Sequence, residues 1–320
     1  MFVFEATQLS YDIGGITFGG QPGEYPTVLA ASIFYLGDRL IIDEAAGEFD
    51  DQRAYEIVED MRATCELAGV PLLIDMIGGS PRAMENYVSW IASTGLPFFI
   101  DGTTPAVRLA GARKAIELGL EERCVFNSIG PETSQREIDA LLELNLKTCI
   151  VMTHNARKPT FQGKFDIADE VLETADKAGF SQFIFDTAVL DLVEPGPCSK
   201  TIWMLKNKYG YPAGCSPTHI VRDRWIHGRA RFGSLGYTAA KVSLATSIMM
   251  MGADYFMYGI KQREIVPAMA MVDAAIAYTG RQQRIRPKAR DYPLLALLRA
   301  DRPAIAAPDG NQAAVTAPPG

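Results

Sequence analysis

Side chains whose types could do chemistry follow closely on short apolar runs: Asp75, Asp101, Asn127, Asp186, Ser216 and, three residues beyond it, His219. Thr153-His154-Asn155 and Gly259-Ile260-Lys261 close two further runs in the same way. An apolar run ending in a carboxylate or amide, repeated along a chain, exceeds what the solvation of loops requires. Asp75 and Asp101 have a plainer reading as caps of the helices that follow. Asn127 and Asp186 lack it, because their helices begin several residues later. An ionised carboxylate accepts two N–H bonds side by side, and an asparagine offers one donor and one acceptor. Such groups suit a flat heterocycle with an amide-like edge. A pterin presents its 2-amino group and N3–H together; Asp186 or Asp101 can accept both, and Asn127 can meet a ring nitrogen in either protonation state.

The elements that must position these groups alternate. Apolar, strand-like runs lie at Val28–Tyr35, Pro71–Met76, Pro97–Ile100, Cys124–Asn127, Thr148–Met152, Gln182–Phe185, Ala213–Cys215 and Tyr255–Tyr258. Helical periodicity separates them: Ile138, Leu141 and Leu142 share one face, and Ala168, Val171, Leu172 and Ala175 share another. Strands that are apolar throughout belong in a parallel sheet covered on both sides. Eight such units predict an α/β fold of the (β/α)8 TIM-barrel type, whose active sites lie at the C-terminal strand ends. Ser80-Pro81 and Thr104-Pro105 read as N-caps followed by proline at the first helical position. The segment Tyr237–Met251 carries Lys241 as its single charge and reads as a largely buried helix, its Met249-Met250-Met251 run as core filling.

The expected organisation is an N-terminal hairpin over residues 1–26 capping the barrel bottom, a barrel over 27–285, and a C-terminal extension over 286–320. Gly14-Gly15 and Gly19-Gly20 supply the hairpin's turn chemistry. In the extension, 291–299 has helical character and the Ala/Pro-rich 301–320 reads as disordered. The net charge of −7 argues against nucleic acid or an anionic membrane as the main partner. The five cysteines are odd in number and scattered, as in a reduced, cytoplasmic protein. No zinc-type spacing of Cys or His occurs, so no metal is expected. Arg222, Arg224, Arg229 and Arg231 stand in what reads as a loop over 218–234 and offer an anion contact, for an acidic substrate tail or an acidic partner face.

Several of these stretches carry a family likeness. Asp12-Ile13-Gly14-Gly15, then Gly19-Gly20-Gln21-Pro22-Gly23-Glu24-Tyr25-Pro26-Thr27-Val28-Leu29 and Ser32-Ile33-Phe34-Tyr35, resemble the MtrH subunit of the tetrahydromethanopterin S-methyltransferase family. That family also takes in bacterial methylcorrinoid:tetrahydrofolate methyltransferases. Ile100-Asp101-Gly102-Thr103, Asn127-Ser128-Ile129 and Gly214-Cys215-Ser216-Pro217 extend the likeness over roughly residues 2–285. The resemblance implies a pterin-binding methyltransferase, commonly a homodimer, acting on a corrinoid supplied by a separate partner protein. Tetrahydrofolate is the expected co-substrate, with tetrahydromethanopterin as the other choice. It places Asp75, Asp101, Asn127, Asp186, Ser216 and His219 at the pterin, with Asn127 and Asp101 catalytic. In related enzymes the seventh strand ends Gly-Leu-Ser-Asn, with the asparagine near N5; here Pro217 stands in that place. Asn127 then carries the N5 contact alone, or His219 contributes. Two other readings compete: a dihydropteroate-synthase-like condensation, which needs a pyrophosphate cradle that the sequence lacks, and a non-catalytic docking protein for the pterin or the corrinoid partner.

Overall fold

The computed structural model describes residues 3–192, 194–224 and 227–286, and of 222–224 the backbone only. The helical and disordered stretches expected beyond 286 lie outside the described residues. Eight parallel strands close a barrel: β1 (Val28–Ile33), β2 (Leu72–Gly78), β3 (Phe98–Gly102), β4 (Cys124–Ile129), β5 (Thr148–Met152), β6 (Gln182–Asp186), β7 (Ala213–Cys215) and β8 (Tyr255–Gly259). Each pairs with the next in sequence, and β8 closes on β1. The helices of the outer layer are α1 (Asp51–Ala68), α2 (Pro81–Ile91), α3 (Pro105–Glu117), α4 (Gln135–Leu144), α5 (Phe161–Asp166), α6 (Ala168–Lys177), α7 (Pro195–Tyr209), α8 (His219–Arg224), α9 (Gly228–Met250) and α10 (Ile265–Gln282).

The strands alternate between two cores. Leu29, Ile74, Ile100, Phe126 and Phe256 face the helices, while Val28, Ala30, Leu73, Phe99, Val125, Ile150, Ile184 and Tyr255 fill the interior. The period of two in a strand produces this division. Below the interior lies a hairpin, Ser10–Ile13 paired with Ile16–Gly19. Its Phe18 is fully buried, 6.0 Å from the ring of Tyr255 and 6.3 Å from that of Phe99. Gly14 and Gly15 make the turn at φ +58° and +89°, a region that glycine enters without strain. Beneath the strands the plug is apolar, so the barrel is wet at one end only.

Ser80 and Thr104 cap α2 and α3 through their hydroxyls, each with proline at the first helical position. Three expectations need correction. Leu142 is exposed, because α4 buries only Ile138, Leu141 and Glu137. The stretch read as a loop is helical, as α8 and the start of α9. The helix around Lys241 is not largely buried. Within its Tyr237–Met251 stretch only Lys241, Ala245, Ile248 and Met249 face inward, at i, i+4, i+7 and i+8, and Met250 is exposed. Its low charge content imitates a buried helix because alanine, serine and threonine fill the outer face.

Candidate active site

The strands run one or two residues further than their apolar character suggests, so the polar groups sit inside the strand ends. Alternation then settles their direction. Asp75, Asp101, Asn127 and Asp186 each follow an interior residue by two positions: Leu73, Phe99, Val125 and Ile184. All four therefore point to the barrel axis, one layer above the apolar interior. Ser32, Met152 and Met257 join this layer by the same rule, after Ala30, Ile150 and Tyr255. Backbone register seats Ser32 beside Asp75, Asp101 beside Asn127, and Met152 beside Asp186.

Above this layer opens a cavity of about 430 Å3, a size that suits a small-molecule ligand. Asp75, Asp101, Asn127, Asp186, Ser216 and His219 all line it. His154 does not; its Nδ1 is buried without a hydrogen-bond partner among the described residues. Asn155 holds its own turn through Gly163, and Lys261 is paired with Asp38. Asp75 and Asp101 are not helix caps, since Ser80 and Thr104 hold that place. The cavity also takes in groups that the sequence did not single out as site residues, among them Ser32, Tyr35, Lys241, Tyr258 and Gln262. Ser32 was findable by counting two from an interior alanine. Lys241 was visible as a lone charge on an apolar helix, a signal that reads equally as a solvated surface lysine.

The acidic groups differ in how well they are satisfied. Asp186 accepts from the Ala188 amide at 2.7 Å through Oδ1 and from the Tyr255 hydroxyl at 2.9 Å through Oδ2. Gly214 makes room for that tyrosine, because a Cβ there would collide with the Tyr255 carbonyl and ring. Asp75 accepts from Ser32 at 2.7 Å through Oδ2, and its Oδ1 is buried with no partner among the described residues. No described group donates to the carboxylate of Asp101 or to the amide oxygen of Asn127. Burial pushes Asp75 up to about 7, opposed by the Ser32 hydroxyl and reinforced by Asp186. Burial also raises Asp186 to about 6, against the pull of the Ala188 amide, the Tyr255 hydroxyl and the Lys164 ammonium. Asp101 lies well above the carboxylate range through burial first and the charge of Asp75 second, with Arg108 opposing. Near neutral pH the cluster therefore holds at least one shared proton, and its unmet acceptors await donors.

Behind β6, a buried lysine fixes the wall of the site. Lys164 of α5 donates to the carbonyls of Thr187 and Ala188 at 3.0 and 2.7 Å. Ala188 sits at φ +47°, which costs a residue with a Cβ on the order of 1–3 kcal/mol. Bonds at both ends of Ala188, to Asp186 and to Lys164, hold it there. Ser216 Oγ lies 3.1 Å from His219 Nδ1 at the opening of β7. Arg229 and Arg231 are exposed on α9 and do not line the cavity; the side chains of Arg222 and Arg224 lie outside the described residues. Among the described residues no three His, Cys, Asp or Glu side chains are grouped to hold a metal ion. All five cysteines are buried as free thiols. No described helix is long and apolar enough to cross a membrane.

A closed parallel barrel with its polar residues gathered at the C-terminal strand ends defines a TIM-barrel protein of the kind that carries enzymes. Solved dihydropteroate synthases share this fold. That of Yersinia pestis superposes with a TM-score of 0.59 at 15% identity, covering 84% of this chain and 99% of the other. That of Thermus thermophilus, in complex with 4-aminobenzoate, does so with a TM-score of 0.56 at 14% identity, covering 83% and 99%. At such identities the likeness is one of fold. Sequence narrows it further: residues 6–288 match the family described as the tetrahydromethanopterin S-methyltransferase MtrH subunit, and the chain belongs to that family. Its counterpart in Methanothermobacter thermautotrophicus, the H subunit of tetrahydromethanopterin S-methyltransferase, is 34% identical, over 93% of this chain and all of the relative. The same subunit of Methanocaldococcus jannaschii is 32% identical, over 90% and 97%.

Proposed function

We propose that this chain is a methyltransferase that moves a methyl group between N5 of a tetrahydropterin and a corrinoid carried by a partner protein, acting as a homodimer. The observation that carries this reading is the axial layer. Carboxylates with unmet acceptor capacity and an amide with a donor and an acceptor share one mouth of suitable size. A pterin ring supplies the two parallel donors that such a carboxylate lacks. Asp186 already receives a donor on each oxygen, whereas Asp101 receives none from the described residues, so Asp101 takes the 2-amino and N3–H edge. Asn127, its register neighbour, faces N5.

The corrinoid supplies the cobalt centre that gives up or accepts the methyl group. The chain's own task is alignment and proton handling. A methyl arriving at N5 as a cation equivalent displaces the N5 proton; a methyl leaving requires that proton to return. Carboxyls raised toward neutrality by burial and mutual repulsion hold such a proton close to the ring. No asparagine follows Ser216, so Asn127 orients N5 and the acidic cluster balances its charge.

Tetrahydrofolate and tetrahydromethanopterin share the ring edge that Asp101 reads. We assign tetrahydrofolate on the resemblance to bacterial methylcorrinoid:tetrahydrofolate methyltransferases. The test mixes the purified chain with a methylated corrinoid protein and each pterin in turn, following the methylated pterin by chromatography. Methyltetrahydrofolate formed in step with demethylation of the corrinoid is the expected result. Turnover with tetrahydromethanopterin alone changes the pterin, and binding without turnover with either makes the chain a docking protein.

A further inference from the structure

The cavity has a second pole that ring recognition does not use. Its axial wall is acidic, and among its described lining residues Lys241 is the one lysine or arginine. Lys241 belongs to the buried stripe of α9 and is only 7% exposed, although burying an ammonium is costly and methionine would fill the same length. Its Nζ lies 4.9 Å from the ring centre of Tyr258 and 5.9 Å from that of Tyr237. Ring faces attract a cation without cancelling its charge. Tyr258 lines the cavity too, is 2% exposed, and its hydroxyl has no hydrogen-bond partner among the described residues. Strand alternation sets this pole off the axis: Tyr255 and Met257 belong to the interior, Phe256 and Tyr258 to the layer between barrel and helices. Acceptors thus crowd the axis, and donors stand at the margin between β8 and α9.

We infer that Lys241, with Tyr258 beside it, forms an anion subsite for the carboxylate-bearing tail of the pterin. This rests on the pterin reading above. A ring held over the axis by its amino edge directs its substituent outward, and the marginal pole is where a negative charge is compensated. The exposed Arg229 and Arg231, which do not line the cavity, are not needed for it.

The experiment titrates tetrahydrofolate and the tail-less 6-methyltetrahydropterin into the wild type, Lys241→Met and Lys241→Arg by calorimetry, with melting temperatures recorded. Lys241→Met is expected to weaken tetrahydrofolate about ten-fold or more, as loss of a charge-assisted bond does, and to leave the tail-less pterin within two-fold. Lys241→Arg is expected to keep most of the affinity. Equal weakening of both ligands, or of neither, overturns the subsite. If the tail-less pterin binds the wild type too weakly to titrate, Lys241→Arg decides: recovery of the tetrahydrofolate affinity lost in Lys241→Met supports the subsite, and failure to recover overturns it. A wild type that binds neither ligand removes the pterin reading itself, a different result from wild-type binding that Lys241→Met leaves intact.

Discussion

The hydroxyl of Tyr255 on β8 donates to Oδ2 of Asp186 on β6, 2.9 Å away across the shorter β7. The ring of the same tyrosine packs on Phe18 of the N-terminal hairpin. One side chain therefore spans the barrel from its apolar plug to its acidic mouth. Tyr255→Phe keeps the ring and removes the donor. Asp186 should then rise above about 6, and stability should fall by about 1–3 kcal/mol. Carbon-13 titration of the Asp186 carboxyl, with denaturant unfolding alongside, checks both; an unmoved titration means the hydroxyl bonds elsewhere.

Phe18→Ala tests the plug. Its ring is fully buried against Phe99 and Tyr255, so truncation should cost about 3–5 kcal/mol through lost burial and the cavity left behind. Because Phe18 lies below the interior layer, pterin affinity should change little at temperatures where the variant stays folded. A variant that melts like the wild type means that the hairpin contributes little to closing the barrel.

Lys164 acts on the site through backbone. Lys164→Met leaves the carbonyls of Thr187 and Ala188 without their donor and releases the strained Ala188. Removal of a buried, hydrogen-bonded charge is expected to cost about 2–4 kcal/mol. The ammonium also opposes the upward push on Asp186, so the acidic limb of the activity profile should move to higher pH. A simple packing defect lowers stability without moving that limb. Lys164→Arg, which keeps the charge, should restore the profile even where stability stays reduced.

The barrel was legible in the sequence because eight apolar runs and their helical spacers repeat one pattern, and Ser80-Pro81 and Thr104-Pro105 mark helix starts by local chemistry alone. Asp75, Asp101, Asn127 and Asp186 were legible for a related reason: a polar residue at a buried strand end interrupts an otherwise unbroken apolar pattern. What escaped depends on packing between elements. Nothing local tells that Tyr255 reaches Asp186, or that Lys164 supports the β6 loop, since each pair is brought together only by closure of the barrel. Leu142 was misplaced because α4 is short and its last turn leaves the core. Lys241 was seen as a charge, but the stripe that turns it toward the cavity is set by α9 packing on β8.

Asp75 gives the protein a pH-dependent stability. Burial raises its carboxyl to about 7, against about 4 in the unfolded chain, so the folded state holds the proton more tightly. Its contribution is complete below about pH 4 and is lost as the pH rises through 7. Asp75→Asn, neutral at every pH, should flatten the melting temperature between pH 5 and 8 and raise it above the wild type at pH 8. Each kcal/mol is worth about 2–4 °C in a chain of this size. Thermal scans across this range give the answer; a wild-type melting temperature that climbs from pH 5 to 8 contradicts the assignment.

The most direct test is calorimetric titration of tetrahydrofolate into the wild type, Asp101→Asn and Asp186→Asn. Asp101 has no described donor and faces the axis beside Asn127, so it takes both ring donors. Asparagine there sets a donor against a donor, and affinity should fall by about 2–4 kcal/mol, on the order of 30- to 1000-fold, with the melting temperature nearly unchanged. Asp186 is held by Ala188 and Tyr255, so Asp186→Asn should lower the melting temperature and weaken binding less. The account predicts that order of effects on a wild type that binds. A wild type that takes up no tetrahydropterin, or an Asp101→Asn variant that binds within a few-fold of it, contradicts the account.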